Sequence, residues 1–216
     1  MNKQKIMAAA AGAIVAVASL AGASLAYFTD TKTAANVFTM GNVRIALDET
    51  DVQNPNGDRV TANTYAVYPG AVVTKDPVVH NTGANGAYVR TTVNVSDWVH
   101  MVSRYFPAFA AEFPSADYGA ALELLVDELG DGWSVVGVQR GDVFTDAQQD
   151  AKFVLKYDGV LAAGADTTAM FCTVQVPTGI DNDSAAQFRA IDVTAQAIQQ
   201  DGFANWEAAF AAFDAA

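Results

Sequence analysis

The sequence is poor in the residues that build most catalytic and metal sites. Its 216 residues include one cysteine and two histidines. Cys172 has no second cysteine in the chain, which excludes an intramolecular disulfide. His80 and His100 lie outside any H-E-x-x-H pattern, whereas a catalytic zinc ion needs about three protein ligands and an open position. The chain also has no G-x-S-x-G motif and no glycine-rich phosphate loop. We therefore predict no catalytic residue, no metal site and no cofactor.

Positive charge is scarce as well. The chain carries 12 lysine and arginine residues against 24 aspartates and glutamates, which gives a net charge of −12. Because like charges repel, this surface disfavours nucleic acid and anionic membranes as partners of the folded protein.

The N-terminus has the three parts of a secretory signal peptide. Lys3 and Lys5 precede the uncharged residues 6–26, and small side chains stand at Ser24 and Ala26. This pattern is typical of a signal with an A-x-A-like cleavage site. We predict that residues 1–26 are removed by cleavage between Ala26 and Tyr27. An uncleaved membrane anchor is the alternative, since residues 6–26 are long enough to span a bilayer.

Apolar and polar residues alternate along much of the remaining chain, as in strands that bury one face. In the first half the buried positions are predicted at Val43, Ile45, Leu47, Val89, Val93 and Val95. Residues 72–80 are predicted as a further strand, where Pro77 removes a backbone donor and favours an edge or a bulge. Asn54–Asp58 has the composition of a turn, and Gly57 can supply a positive φ there.

Residues 96–130 change to a helical period. Ser96 is placed to cap a short helix that ends before Pro107 and presents Trp98, Val102 and Tyr105. A second helix is predicted after Asp117 and is expected to end at Gly130. Its apolar stripe is Leu122, Leu125, Val126 and Leu129. We interpret these residues as a helical insertion between strands.

Strands are predicted again at 132–138, 152–157, 168–176 and 189–198. The chain ends in a short amphipathic helix whose apolar stripe is Trp206, Phe210 and Phe213. These elements predict one mainly β domain over residues 43–216. Its fold is an antiparallel β-sandwich with a helical insertion at about 96–130 and a short C-terminal helix.

Several stretches together carry a resemblance to a known family. They are the run from Leu25 to Thr31 and N-V-F-T-M-G-N-V-R-I-A-L over 36–47. Further along come Y-P-G-A-V-V-T-K-D at 68–76, H-N-T-G at 80–83 with A-Y-V-R at 87–90, and V-T-A-Q-A-I-Q-Q-D-G-F at 193–203. In this order they resemble the TasA/camelysin family, the secreted fibre-forming proteins of Gram-positive bacteria.

The resemblance implies a fold, a location and a mode of assembly. It implies a jelly-roll strand order and release by a dedicated signal peptidase of the SipW type, so that only the precursor is held at the membrane. It further implies a homopolymer in the extracellular biofilm matrix or on the cell surface, with an accessory fibre protein as a further partner. Camelysin-type relatives carry a metallopeptidase label, so a secreted metallopeptidase is the alternative function.

Residues 27–42 are predicted to be the segment that links one copy to the next. Its large apolar side chains are Tyr27, Phe28, Val37, Phe38 and Met40. A freed terminal segment of this kind can fill the open sheet edge of a neighbouring copy. The alternative is that the segment folds back as the first strand of its own domain.

Other local patterns are interpreted as structural. Asp48–Asp51 and Asp181–Asp183 can bind Ca²⁺ weakly, but neither has the spacing of an EF-hand, and we expect solvated acidic loops. Arg140–Asp142 spells the tripeptide that some integrins bind, which leaves a surface adhesin as a weaker alternative. Cys172 alternates with apolar residues and is expected to be a buried, inert thiol rather than a link between chains. His80 is expected in a loop and His100 on a helix surface.

Overall fold

The computed structural model describes residues 29–33, 36–38, 43–65, 68–107, 118–140, 150–180 and 191–216. Of residues 29–33, 36–38, 118–119 and 139–140 only the backbone is described. The strands are β1 (Thr29–Thr33), β2 (Asn36–Phe38), β3 (Ile45–Asp48), β4 (Val72–Thr74), β5 (Val78–Asn81), β6 (Ala87–Val95), β7 (Trp133–Arg140), β8 (Ala151–Tyr157), β9 (Thr173–Gln175) and β10 (Ile191–Gln199). The helices are α1 (Trp98–Tyr105), α2 (Tyr118–Leu122) and α3 (Trp206–Asp214).

One six-stranded sheet forms the larger layer. Its strand order is β2-β1-β10-β6-β8-β7, and every neighbouring pair is antiparallel. The central strand β6 alternates along its length: Val89, Val93 and Val95 are fully buried, while Arg90, Thr92 and Asn94 are only partly so. This alternation is the predicted one, because successive side chains of a strand point to opposite faces.

The second layer is built from shorter pieces. β3 pairs with β5, and β4 pairs with β9, both antiparallel. Backbone hydrogen bonds continue between these short strands, from Thr167 N to Val79 O at 2.9 Å and from Met170 N to Pro77 O at 3.0 Å. Residues 164–175 therefore run alongside 72–81 even where no regular strand is formed.

The core lies between the two layers. It joins Val93 and Phe153 of the large sheet to Ile45, Val79 and Val174 of the second layer. The insertion contributes Trp98, whose ring meets Phe153 edge-on with centroids 5.1 Å apart. Burial of these apolar side chains supplies the main driving force for folding. The prediction of a mainly β, antiparallel domain is confirmed, and the strand order is compatible with a jelly roll.

Helix α3 covers the outer face of the large sheet. Phe210 packs there with Tyr88 and Ile198, and Trp206 and Phe213 flank it, as the predicted apolar stripe requires. Asn205 caps the helix because its side-chain oxygen accepts a hydrogen bond from Ala208 N at 2.9 Å. Trp206 Nε1 donates to Val89 O at 2.8 Å, which ties the helix to β6.

The predicted helices differ from the observed ones in detail. Asp97, with a left-handed φ of 53°, occupies the N-cap of α1, and Ser96 precedes it. Helix α2 ends at Leu122, so the expected stripe is wrong beyond that residue. Leu125 lies in a turn and Val126 forms a β-bridge with Val174, although both are buried as predicted.

Two predicted strands are shorter than expected. Residues 72–80 are divided into β4 and β5, which pair with different partners, and Pro77 lies in the break between them. Of 168–176 only β9 is regular. The turn at Asn54 closes through a hydrogen bond from Gly57 N to Asn54 O at 2.9 Å, and Gly57 is not among the positive-φ glycines.

Replacement of Phe153 by alanine should test the common core. Phe153 is fully buried, so Phe153→Ala leaves a cavity and is expected to lower the free energy of unfolding by about 3–5 kcal/mol. Urea titration followed by circular dichroism measures the change. Val136→Ala is the control, because Val136 is 46% exposed. A loss below about 1 kcal/mol for Phe153→Ala would contradict a shared core at this position.

Candidate functional site

The N-terminal strands lie at one edge of the large sheet. β1 pairs with β10 through five register positions, from Thr29 opposite Ile198 to Thr33 opposite Thr194. β2 then pairs with the outer side of β1, with Thr31 opposite Phe38. Because β1 pairs with this side of β10, removal of β1 and β2 would leave that side of β10 without a ladder, although β1 also lies close to β3 of the second layer.

The opposite edge of the same sheet has a different character. β7 pairs with β8, but its register shifts between Val135 and Gly137, so that Val136 is an extra residue in the ladder. Such a bulge bends an edge strand and disturbs its pairing. The large sheet therefore has a regular ladder between β1 and β10 and a bulged one between β7 and β8.

The predicted site residues fall in two groups, those outside the described residues and those in β2. Ser24, Ala26 and Tyr27 at the predicted cleavage site lie outside the described residues, as do Phe28 and Met40. Val37 and Phe38 belong to β2, where only their backbone is described. The predicted cleavage and the role of the five donor side chains therefore remain predictions.

The segment 29–33 pairs with β10 of its own chain in this structure. In a single copy, this pairing is what we expect if the segment folds back as the first strand of its own domain.

A polar cluster joins the second layer to residues 49–65. Arg59 lies at its centre. The Nε atom of Arg59 lies 2.5 Å from Asp48 Oδ1, and its Nη1 atom donates hydrogen bonds to Asp76 Oδ2 at 2.9 Å and to Thr50 Oγ1 at 3.1 Å. Asp76 also accepts hydrogen bonds from Thr50 N and Oγ1, both at 2.7 Å. The expectation of a solvated acidic loop at Asp48–Asp51 is wrong for Asp48 and Glu49, whose side chains are bound to neighbouring segments, whereas Asp51 accepts an exposed hydrogen bond from Gln53 N.

A second ion pair lies deeper in the same cluster. Lys75 Nζ lies 2.8 Å from Glu49 Oε2, and both side chains are nearly buried. The same ammonium lies 5.6 Å from the centroid of the Tyr65 ring. Burial and the negative charge of Glu49 raise the pKa of Tyr65. Glu49 also pairs through its backbone with Val60, which fixes residues 49–60 as a closed hairpin-like excursion.

The two histidines have separate surroundings. His80 lies in β5, so the expected loop position is wrong, and its ring lies between Asp48 and Asp166. His100 lies on α1 with its Nδ1 3.2 Å from Asp97 Oδ2, and its side chain is 40% exposed, as expected of a helix surface. Within the described residues, no group of three or more His, Cys, Asp and Glu side chains is arranged to hold a metal ion.

Cys172 is exposed, and the expectation of a buried thiol is wrong. Met170 and Phe171 are both fully buried, so the two-residue alternation breaks at this point and Cys172 points outward. Cys172 N donates to Asp127 Oδ1 at 2.8 Å. Partial burial and the charge of Asp127 raise the pKa of the thiol, which lowers its reactivity at neutral pH.

A groove of about 360 Å³ lies between α3 and the strands β7 and β8. Its floor includes Val138 and Val154, and Arg90 closes one end through a bidentate contact of 2.7 Å with Asp214. Sequence reasoning did not find this groove, because its lining residues on α3 lie more than 50 positions after those on β7 and β8. The spacing of Trp206 and Phe210 indicated only that α3 would be buried on one side.

The Asp76 carboxylate should make stability depend on acid pH. Burial opposes its ionisation, but hydrogen bonds from Thr50 and Arg59 prevail and lower the pKa of Asp76 below 3.8. Its contribution is therefore present above about pH 3.8 and is lost as the pH falls through the folded-state value. In thermal unfolding between about pH 2 and 6, Asp76→Asn should flatten this fall in stability. Asp58→Asn, at an exposed position, is the control, and an unchanged slope in Asp76→Asn would contradict the assignment.

Comparisons with known proteins give one match. Neither the curated proteins nor the solved structures contain a match to this chain. The helices in the described part of the chain are all too short or too polar to cross a membrane. Residues 1–100 match the family model described as camelysin metallo-endopeptidase. This match covers 100 of the 216 residues and is consistent with the resemblance of the chain to the TasA/camelysin family.

Proposed function

We propose that the chain is a secreted structural protein that assembles into extracellular fibres by exchanging its N-terminal strand between copies. In this proposal a SipW-type signal peptidase removes residues 1–26, and residues 27–42 of each copy then occupy the β10 edge of the next. The fibres belong to the biofilm matrix or the cell surface. The observation that carries the proposal is the pairing of the N-terminal strands β1 and β2 at the β10 side of the large sheet.

Backbone pairing makes such an exchange feasible. β1 meets β10 over five register positions, and each hydrogen bond contributes about 0.5–1.5 kcal/mol. Burial of a large apolar side chain such as Phe38 adds about 1.5–3 kcal/mol. Against these gains stands an association cost of about 4–15 kcal/mol. A whole strand can therefore hold two copies together, whereas one or two contacts cannot.

Exchange of this kind produces an open chain of copies. The donor segment and the acceptor edge are different surfaces of one molecule, so the contact is head-to-tail and extends without closing. In the precursor the segment is joined to the signal peptide and held at the membrane, which delays assembly until cleavage. A second protein that offers the same donor segment would serve as the accessory fibre partner.

Removal of residues 27–38 should show whether this segment is exchanged between copies or serves only as the first strand of its own domain. Mature protein that begins at Tyr27 is expected to form filaments in negative-stain microscopy. The trimmed protein is expected to form none but to retain β-type circular dichroism, because the other five strand pairings are intact. Filaments that persist after trimming would reject strand exchange. Unfolding of the trimmed protein would show that the segment is needed by its own domain.

Engineered cysteines can show which copy supplies the strand. In a Cys172→Ser background, Thr33→Cys and Thr194→Cys are introduced on separate chains, which are then unfolded, mixed and refolded under oxidation. These positions are register partners, and opposite residues of antiparallel strands lie within disulfide range. Exchange predicts a disulfide-linked dimer of the two variants. Thr33→Cys mixed with Gln199→Cys is the out-of-register control.

A secreted metallopeptidase is the second candidate, because the matching family model carries that description. If the chain is not an enzyme, purified protein should leave casein intact with and without a chelator. Proteolysis that is lost on chelation and also lost in His80→Ala or His100→Ala would establish the peptidase and reject this part of the proposal. A fluorescent casein assay measures both conditions.

A further inference from the structure

His80 lies where three backbone segments meet. It is opposite Ala46 of β3 on one side of β5, and it forms a β-bridge with Asp166 on the other side. Its side chain extends the same connection. Nε2 lies 2.9 Å from Asp48 Oδ2 of β3, and Nδ1 lies 2.7 Å from Asp166 Oδ1 of the 164–167 segment.

The position of both carboxylates favours one protonation state of the ring. A neutral imidazole has one N–H donor and one lone pair, so one of the two carboxylates would face a lone pair. The doubly protonated imidazolium presents N–H groups to both. The Nε2 contact with Asp48 falls outside hydrogen-bond geometry and acts as an ion pair, whereas the Nδ1 contact with Asp166 is a hydrogen bond.

We propose that His80 is a pH-sensitive clamp that holds the 164–167 segment against β5 while the ring is protonated and releases it on deprotonation. The two sides of the clamp are unequal. Asp48 has Arg59 as a second cation at 2.5 Å, and Arg59 is itself held by Asp76. Asp166 has a side chain that is 60% exposed, and His80 is its partner in the contact. Loss of the ring charge weakens the Asp166 contact, because a charge-assisted hydrogen bond becomes one from a neutral ring, whereas Asp48 keeps the Arg59 cation.

Two backbone amides lie where the release should be visible. Asn81 N donates to Ala165 O at 2.9 Å, and Thr167 N donates to Val79 O at 2.9 Å. Both bonds join β5 to the 164–167 segment. An opening of this segment exposes the two amides to solvent exchange and leaves the β3–β5 ladder in place.

The direction of the pH effect follows from the charges around the ring. Burial lowers the pKa of His80, but the contacts with Asp48 and Asp166 outweigh it, so that the pKa is raised above 6.5. A raised pKa gives stability that is fully present below about pH 6.5 and is lost as the pH rises through the folded-state value. The charged groups that face the ring are Asp48 from β3 and Asp166 from the 164–167 segment, with Arg59 behind Asp48.

Amide hydrogen exchange by NMR tests the clamp in the full mature chain. Between about pH 5.5 and 9, and after correction for the intrinsic pH dependence of exchange, protection of Asn81 and Thr167 should fall as pH rises. The fall approaches tenfold for each unit by which the folded-state pKa exceeds that of the open state. The His80 ring resonances, followed in the same samples, should titrate above pH 6.5.

Three variants make the result specific. His80→Gln and Asp166→Asn should each remove the pH-dependent fall in protection, since one removes the titrating ring and the other its exposed partner. His100→Gln, on α1, is the matched control and should leave the fall unchanged. Protection that falls equally in His80→Gln and the parent protein would overturn the clamp, and so would a His80 ring that titrates at or below pH 6.5. Because Asp166 is largely exposed, Asp166→Asn keeps the test available if His80→Gln fails to fold.

Discussion

The pairing of β6 with β10 is the contact on which the rest of the large sheet depends. The two strands match over nine register positions, from Ala87 opposite Gln199 to Val95 opposite Ile191. β8 and β7 are added on the β6 side, and the N-terminal strands are added on the β10 side. One face of this pair carries the common core, while the other receives α3. Loss of the N-terminal strands would leave this central pair intact, whereas loss of β8 would remove Phe153 and Leu155 from the core.

The second layer is stabilised by a different balance of forces. Its strands have only three or four residues, so each ladder supplies few hydrogen bonds. Side-chain contacts of Arg59 and Lys75 tie the 49–65 excursion to the ends of β3 and β5. Hydrogen bonds to charged groups contribute about 1.5–3 kcal/mol each where they are well formed. These charged contacts make the stability of the second layer sensitive to pH and salt, whereas apolar contacts do not have this sensitivity.

Much of the fold could be predicted because burial on one face leaves a direct mark on a strand. The alternations at Val43–Leu47, 89–95 and 153–157 gave correct strands with the correct buried faces. Residues 122–129 misled the prediction, since apolar side chains at helical spacing also suit a buried turn followed by a β-bridge. Cys172 misled it because Phe171 occupies the buried position beside Met170. A local pattern does not show which of two adjacent residues the core accepts.

The candidate sites were less accessible to sequence reasoning. The run near Tyr27 was singled out by its composition, but nothing in the sequence shows that residues 29–33 pair with β10, more than 150 residues away. The polar cluster was missed for a similar reason. Asp48, Arg59, Asp76 and Asp166 belong to four segments, and only the folded chain brings them together. A histidine followed by Asn-Thr-Gly indicated a loop, while its pairing with Ala46 places it in a strand.

The bulge in β7 makes the two sides of the large sheet different. Val136 interrupts the ladder at one margin, whereas the β1–β10 register at the other margin is continuous over its five positions. If β1 and β2 were displaced, an incoming strand would find regular backbone partners along β10. Copies joined through this sheet would therefore all face the same way, and the resulting polymer would have two chemically distinct ends, one of which grows by offering an acceptor and the other by offering a donor.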